Sequence, residues 1–379
     1  MEDASLKDSL VSGALAFRGY NTTNLGRTPE LLAHPVYGPV VERHLRTASE
    51  ICSDTLGQPI DLVERVKARR ESTLDTFAED IGLIFGVELA HIEIIRDQFG
   101  AQPETATTLL GFSLGEVACL VVGGVYSLED VLVPLVALAN DCASLAHDVA
   151  MGVLFSRGAA LSLDKVEMLC MDINREGRGV ISISSILSPN TVLLMGQGDT
   201  IERFKSSIPD VFGRNVQLRK NDNRWPPLHT PILWQKAVAD RASVMMHRMK
   251  GGAVAPKPPV LSLVTGRASY TALNSRELLR RWLDQPQRLW DVVYELLSMG
   301  IETVIHIGPE PNLIPSTFKR LSDNVTAQVG NSTIRQWGLH AMQGIRRTWL
   351  KRLLSNRVAL MRAPFVRHIV LEDWLLEQK

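Results

Sequence analysis

The chain has 379 residues, long enough to bury a substantial core in one large domain with an insertion or in two domains. It is 45% hydrophobic and 22% charged, and 41 basic residues balance 41 acidic ones. That balance excludes a global electrostatic drive toward nucleic acid or anionic membrane and leaves only local patches to consider.

At the N-terminus, MEDASLKDSLVSGALAFRGY lacks a basic region followed by a sustained apolar stretch, so a secretory signal is not expected. No apolar run reaches membrane-spanning length, stable membrane insertion is not expected, and the cytoplasm is the expected compartment. Residues 13–20, GALAFRGY, read as a short buried strand ending at a glycine turn. The stretch PELLAHPVYGPVVERHLRTASEICSDTLG and residues 70–99 repeat apolar positions at three- and four-residue intervals, which predicts amphipathic helices. Apolar residues before Gly111 predict a buried strand, and LGEVACLVVGG the helix after it. Another long helix begins at Ser127, which forms a capping box with Asp130, and Pro134 falls in its first turns.

The rhythm changes over 151–220, where strand and helix signals follow the order β-α-β-β-α-β, with two strands around the turn Ser188–Pro189–Asn190. This split βαβ order predicts an inserted ferredoxin-like subdomain over 150–222. Strands separated by helices over 12–149 and 223–345 predict a large α/β-hydrolase-like domain around it. Residues 346–379 hold eight Arg/Lys against three Asp/Glu and read as a basic amphipathic extension, with Trp349 and Trp374 available to pack on the body. They carry no recognition motif for nucleic acid, and no nucleic-acid partner is expected. Cys52, Cys119, Cys142 and Cys170 lie far apart without metal-ligand spacing; they read as buried hydrophobes or free thiols, and no metal is expected.

The chemistry centres on Gly111-Phe112-Ser113-Leu114-Gly115. Small residues on either side let a strand turn abruptly into a helix and expose the serine oxygen, while the following peptide N–H faces developing negative charge. Locally, Ser113 is either an activated nucleophile or a structural serine in a tight turn. A nucleophile needs a base, and spacing alone does not choose among nine histidines. His229, in the turn-rich NDNRWPPLHTP, is placed for display in a cleft; the alternative is a loop histidine satisfied by its surroundings. His306, in the apolar strand TVIHIGP, reads as structural. Asp130 and Asp148 have no geometric claim to orient the base, so a backbone carbonyl is the expected orienting group.

Taken in order, GFSLGE, GGVYSLEDVLVPLVAL, PPLHTP, PPVLSLVTG and HIGPEPNLI resemble the malonyl-CoA:acyl-carrier-protein transacylase and acyltransferase-domain family over roughly 12–325, as a divergent member. The resemblance implies Ser113 as acyl-accepting nucleophile and His229 as base. It also implies an oxyanion hole from the Tyr20 and Leu114 N–H groups, and a substrate pocket that includes Phe112, Leu138, Leu263 and Asn312. No tightly bound cofactor is implied: acyl-CoA is a substrate, and an acyl carrier protein bearing phosphopantetheine is the expected partner. Basic segments RFKSS and GRNVQLRKNDNR, or the C-terminal extension, are the expected docking sites for such an acidic protein.

Three departures bear on specificity. FRGYNTT stands where the family has F-P-G-Q-G-S-Q, putting Tyr20 at the glutamine position. Leu138 falls where malonyl-selective relatives place a carboxylate-gripping arginine, so a neutral acyl group is expected unless Arg18 or another arginine reaches in. Arg18 otherwise reads as a surface or helix-end contact. Leu263 replaces a frequent asparagine, and its main-chain carbonyl is the candidate for orienting the histidine. The expected reaction is ping-pong acyl transfer through acyl-Ser113; the alternatives are an acyl-thioester hydrolase and a noncatalytic carrier-protein-binding subunit.

Overall fold

A computed structural model of the chain describes residues 6–157, 159–329 and 358–378. In chain order its strands are β1 (Gly13–Phe17), β2 (Thr108–Gly111), β3 (Val149–Ser156), β4 (Ile181–Ser188) and β5 (Thr191–Gln197). They continue with β6 (Val216–Asn221), β7 (Val260–Ser262), β8 (Arg267–Ala268), β9 (Thr303–Ile307) and β10 (Arg367–Val370). Six form one sheet in the order β10-β9-β1-β2-β7-β8, and four form a second in the order β4-β5-β3-β6.

The first sheet is parallel from β10 to β7, and only β8 runs antiparallel. All five residues of β1 are buried, because β9 and β2 flank it and helices cover both faces; hence its continuous run GALAF rather than an alternation. The register sets Phe17 beside both Gly111 and Ile307, so β1, β2 and β9 end at one level. The loops that follow them therefore converge on one edge, where an open parallel sheet presents its ligands.

On one face the helix Phe77–Phe99 is apolar almost all round and is buried between Gly38–Leu56 and Leu128–Leu145. The capping box is present: Ser127 Oγ accepts from the Asp130 N–H at 3.0 Å, and Asp130 accepts from the Ser127 N–H at 3.3 Å. Pro134 lies inside that helix, which runs on to Leu145.

The second sheet is antiparallel throughout, with Leu163–Arg175 between β3 and β4 and Thr200–Phe212 between β5 and β6. Both helices press apolar stripes (Val166, Leu169, Ile173; Ile201, Phe204, Ile208) onto one sheet face. The other face, including Met151 and Met195, packs with Ile232 and Trp225 of the larger unit. Gln287 ties the two together: its N–H donates to the Ser184 carbonyl at 2.9 Å, and its carbonyl accepts from Ile186 N–H at 2.8 Å.

The described part of the C-terminal extension contributes a strand to the main sheet as well as a helix. Arg367–Val370 pairs in parallel with β9 and extends the main sheet before the short helix Leu371–Glu377. Nothing in a four-residue strand surrounded by basic residues announces that pairing, because its partner lies some sixty positions earlier. Residues 346–357, with Trp349, lie outside the described residues. Among the described residues no helix is long and apolar enough to cross a membrane.

Candidate active site

Gly111 ends β2, Ser113 adopts φ 52° and ψ −118°, and the helix Leu114–Val122 begins at once. A positive φ at a serine is strained and needs the surroundings to enforce it. The flanking glycines explain how they do so. A Cβ on Gly111 would stand 2.1 Å from the Gly115 carbonyl carbon, and one on Gly115 would stand 2.4 Å from the Phe17 oxygen. One on Gly19 would meet the Phe112 oxygen at 2.5 Å and the Ser113 Cβ at 3.2 Å. The elbow is thus wedged against the end of β1, and Ser113 sits at a helix N-terminus where first-turn N–H groups lack intrahelical acceptors.

Ser113 Oγ lies 2.7 Å from His229 Nε2, though the two are 116 residues apart. His229 has φ 64° and is only 4% exposed. Two carbonyls at the end of the helix Ser275–Asp284 hold it: Nδ1 is 2.7 Å from the Trp282 oxygen, and the backbone N–H donates to Leu283 oxygen at 2.6 Å. A carbonyl only accepts, so Nδ1 carries the ring proton and Nε2 is left to accept from the serine. These carbonyls belong to a helix end that lacks intrahelical donors and carries partial negative charge, which favours a developing imidazolium. Burial, opposed by the Trp282 hydrogen bond, brings the imidazole down to about 4, so it is a neutral base near pH 7.

Trp282 closes the constellation. Its indole N–H donates to the Ser113 carbonyl at 2.9 Å, and its ring stands edge-on to His229 with centroids 5.1 Å apart. The sequence reading missed this residue. The apolar face of RELLRRWLD marks a buried tryptophan, but nothing local names its partners.

Leu263 is corrected on two counts. Its carbonyl accepts from Arg288 N–H at 2.7 Å, not from His229, and the side chain is fully buried away from both cavities at Ser113. Its N–H instead donates to Glu116 at 2.9 Å, and Glu116 also accepts from Tyr270 O–H at 2.7 Å. Those bonds pin the helix Leu114–Val122 to the end of β7; burial nevertheless pushes the Glu116 carboxyl up to about 7.

Arg18 is not a surface contact: it is 4% exposed. Its guanidinium donates to Gly19 O at 2.8 Å, Asn24 Oδ1 at 2.9 Å, Thr23 O at 3.2 Å and Pro309 O. It staples the loop after β1 to the loop after β9. Asp130 is likewise taken, accepting from Lys250 and Gly251 N–H groups at 3.0 and 3.1 Å. His306 is buried and lies 2.9 Å from His368 of β10, Nε2 to Nδ1.

Two cavities meet at Ser113. One is a cleft between the two sheets, with a cavity volume of about 260 Å³, reached by Phe112, Asn312, Tyr20 and His229. The other is narrower, with a cavity volume of about 40 Å³, and is lined by apolar side chains that include Leu138. Tyr20 borders both, its ring edge-on to Phe77 with centroids 4.8 Å apart.

No family model matches the chain. It is 24% identical over 298 residues to the polyketide synthase GfsA of Streptomyces halstedii, spanning 78% of this chain but only 4% of that protein. It is 24% identical over 319 residues to the malonyl CoA-acyl carrier protein transacylase of Salmonella typhimurium, covering 84% of this chain and 95% of that one. The FabD structure from Acinetobacter baumannii superposes with a TM-score of 0.66 at 21% identity, covering 82% and 91% of the two chains. The resemblance drawn from the motifs is borne out: in sequence and fold the chain is similar to the malonyl-CoA:acyl-carrier-protein transacylases and polyketide synthase acyltransferase domains, as a divergent relative.

Proposed function

We propose that the chain is an acyltransferase that moves an acyl group from a CoA or carrier-protein thioester to a phosphopantetheine thiol through acyl-Ser113. The observation that carries the reading is the 2.7 Å contact between Ser113 Oγ and a neutral, buried His229 whose other ring nitrogen is anchored on a helix-end carbonyl. A noncatalytic scaffold has no chemical need of that arrangement.

His229 Nε2 takes the Ser113 proton as Oγ attacks the thioester carbonyl. Charge on the carbonyl oxygen is received by the N–H groups of Leu114, at the helix start, and Tyr20, next to Gly19 against the elbow. The C–S bond then breaks, and the departing thiolate takes the proton from His229, leaving an ester on Ser113. An incoming pantetheine thiol gives its proton to His229 and attacks the ester, and Ser113 recovers its proton as the C–O bond breaks. Because the group behind His229 is a carbonyl and not a carboxylate, the imidazolium is stabilised less than in a Ser-His-Asp triad and protonates the leaving group readily.

The cleft suits the pantetheine arm. In this reading the main sheet is an α/β-hydrolase-like core, and the four-stranded unit, with its split βαβ order, is a ferredoxin-like subdomain forming the opposite wall. Among the basic residues considered for docking, Arg203 pairs with Glu176 and Asp199, and Lys220 with Glu202. Exposed Lys205, Arg214 and Arg219 remain the better candidates to meet an acidic carrier protein.

Intact-mass measurement after incubation with acyl-CoA donors tests the reading. A gain of one acyl group that is absent in Ser113→Ala supports it; no gain with any donor sinks it. Adding holo carrier protein then separates transfer, which moves the acyl mass to the carrier, from hydrolysis, which releases free acid.

A further inference from the structure

The apolar cavity at Ser113 has no established occupant. Five helices build it: Phe77–Phe99, Leu114–Val122, Leu128–Leu145, Val238–Met246 and Ser275–Asp284. Leu128–Leu145 contributes Val131, Pro134, Leu135, Leu138, Ala139 and Cys142. Those positions advance by three or four and form one face over twelve residues, about 16 Å of helix. The wall includes the small side chains of Ala139 and Ala242.

No Arg, Lys or His is among the residues lining the cavity. Two cations on the neighbouring segments, Lys236 and Arg241, are drawn to Asp141 at the surface of the same helix. A carboxylate entering here would lose its hydration without gaining a charged partner, which is strongly unfavourable. A hydrocarbon tail has the opposite preference, each buried methylene strengthening binding about fourfold.

The junction supplies the remaining constraint. Ser113, Tyr20, Phe77 and Leu228 border both this cavity and the cleft. A thioester carbonyl at Ser113 can therefore send its sulfur arm into the cleft and its acyl tail into the helices. We propose that the cargo of Ser113 is an uncharged fatty-acyl chain longer than acetyl, seated in this cavity. The proposal rests on the acyl-transfer reading but is separable from it, because binding of the tail needs no chemistry at the serine.

The test is calorimetric titration of Ser113→Ala with octanoyl-CoA, acetyl-CoA and malonyl-CoA. Octanoyl-CoA is expected to bind at least about tenfold tighter than either of the others, a conservative reading of the fourfold gain per methylene. Equal or weaker octanoyl-CoA binding overturns the proposal, whatever the wild-type protein does in the mass assay. Placing Ala242→Phe in the same background fills the cavity and should lower the octanoyl-to-acetyl affinity ratio at least about fivefold, the worth of one to two methylenes. A folded double variant with an unchanged ratio overturns the location of the tail. If that variant does not fold, the three-ligand comparison on Ser113→Ala decides alone. Conversely, tight octanoyl-CoA binding with no acylation of the wild type upholds the cavity and removes the acyl-serine mechanism.

Discussion

Replacing Trp282 by phenylalanine separates the two roles this residue plays beneath the Ser113–His229 pair. The substitution deletes the indole N–H that donates to the Ser113 carbonyl at 2.9 Å, but leaves the backbone oxygen that holds His229 Nδ1 at 2.7 Å. The Ser113 carbonyl is not orphaned, because Glu116 N–H also donates to it at 2.9 Å. The lost bond is therefore worth its net value, about 1 kcal/mol, without the penalty of an unsatisfied buried acceptor. Trp282 is 1% exposed, so the smaller ring also leaves a void, adding about 1–2 kcal/mol to the destabilisation. Denaturant midpoints should register a total of about 2–3 kcal/mol. If the hydrogen bond's full value serves to hold the elbow in its reactive pose, acylation followed by quenched intact-mass sampling slows about fivefold. The acid limb of its pH profile should stay near 4, where burial places His229, because the orienting group is main chain. A limb displaced below about 4, the direction in which losing the Trp282 carbonyl hydrogen bond would move it, would refute the assignment of orientation to the backbone carbonyl. An unchanged stability would refute the packing argument, since the buried indole would then contribute nothing.

His229 itself links stability to pH. Its folded-state value of about 4 lies below that of an exposed imidazole, so stability from the neutral form is complete above about pH 6.5 and is lost as pH falls toward 4. Denaturation curves of His229→Asn should be flatter than wild type across that window, by up to about 3 kcal/mol, and parallel profiles would contradict the burial argument. Glu116 has the opposite sign: its carboxyl is raised to about 7, so its contribution is intact below about pH 4.5 and falls away as pH rises through 7. Glu116→Gln should accordingly lose less stability than wild type between pH 5 and 8. Gly115→Ala places a Cβ 2.4 Å from the Phe17 oxygen, a backbone atom, and should cost at least about 2 kcal/mol with loss of Ser113 acylation; a melting temperature equal to wild type would argue against the wedge. Leu138→Arg supplies a cation to the apolar cavity and should raise malonyl loading relative to octanoyl loading in competition.

The amino-acid sequence by itself determined what depends on neighbours in the chain. Gly111 and Gly115 around Ser113 specify an elbow because each must tolerate backbone within van der Waals contact. Ser127 and Asp130 start a helix three residues from one another, and the alternating strand and helix signals over 151–220 carry the order of the smaller sheet. The main sheet was legible as alternating strands and helices, but not β10, whose pairing with β9 depends on a partner far away in the chain. The same limit governs the site. His229 drew notice from its turn, yet its partner Ser113 is 116 residues distant, and the carbonyl that orients it comes from Trp282, not Leu263. Arg18 looked like a surface residue, because four acceptors spread over two loops far apart in the chain are invisible one segment at a time. Leu138 announced the loss of a charge, but only five helices packed together show that an apolar cavity replaces it. Local sterics are written in adjacent residues; hydrogen-bond partners and the walls of a cavity exist only once distant segments share a core.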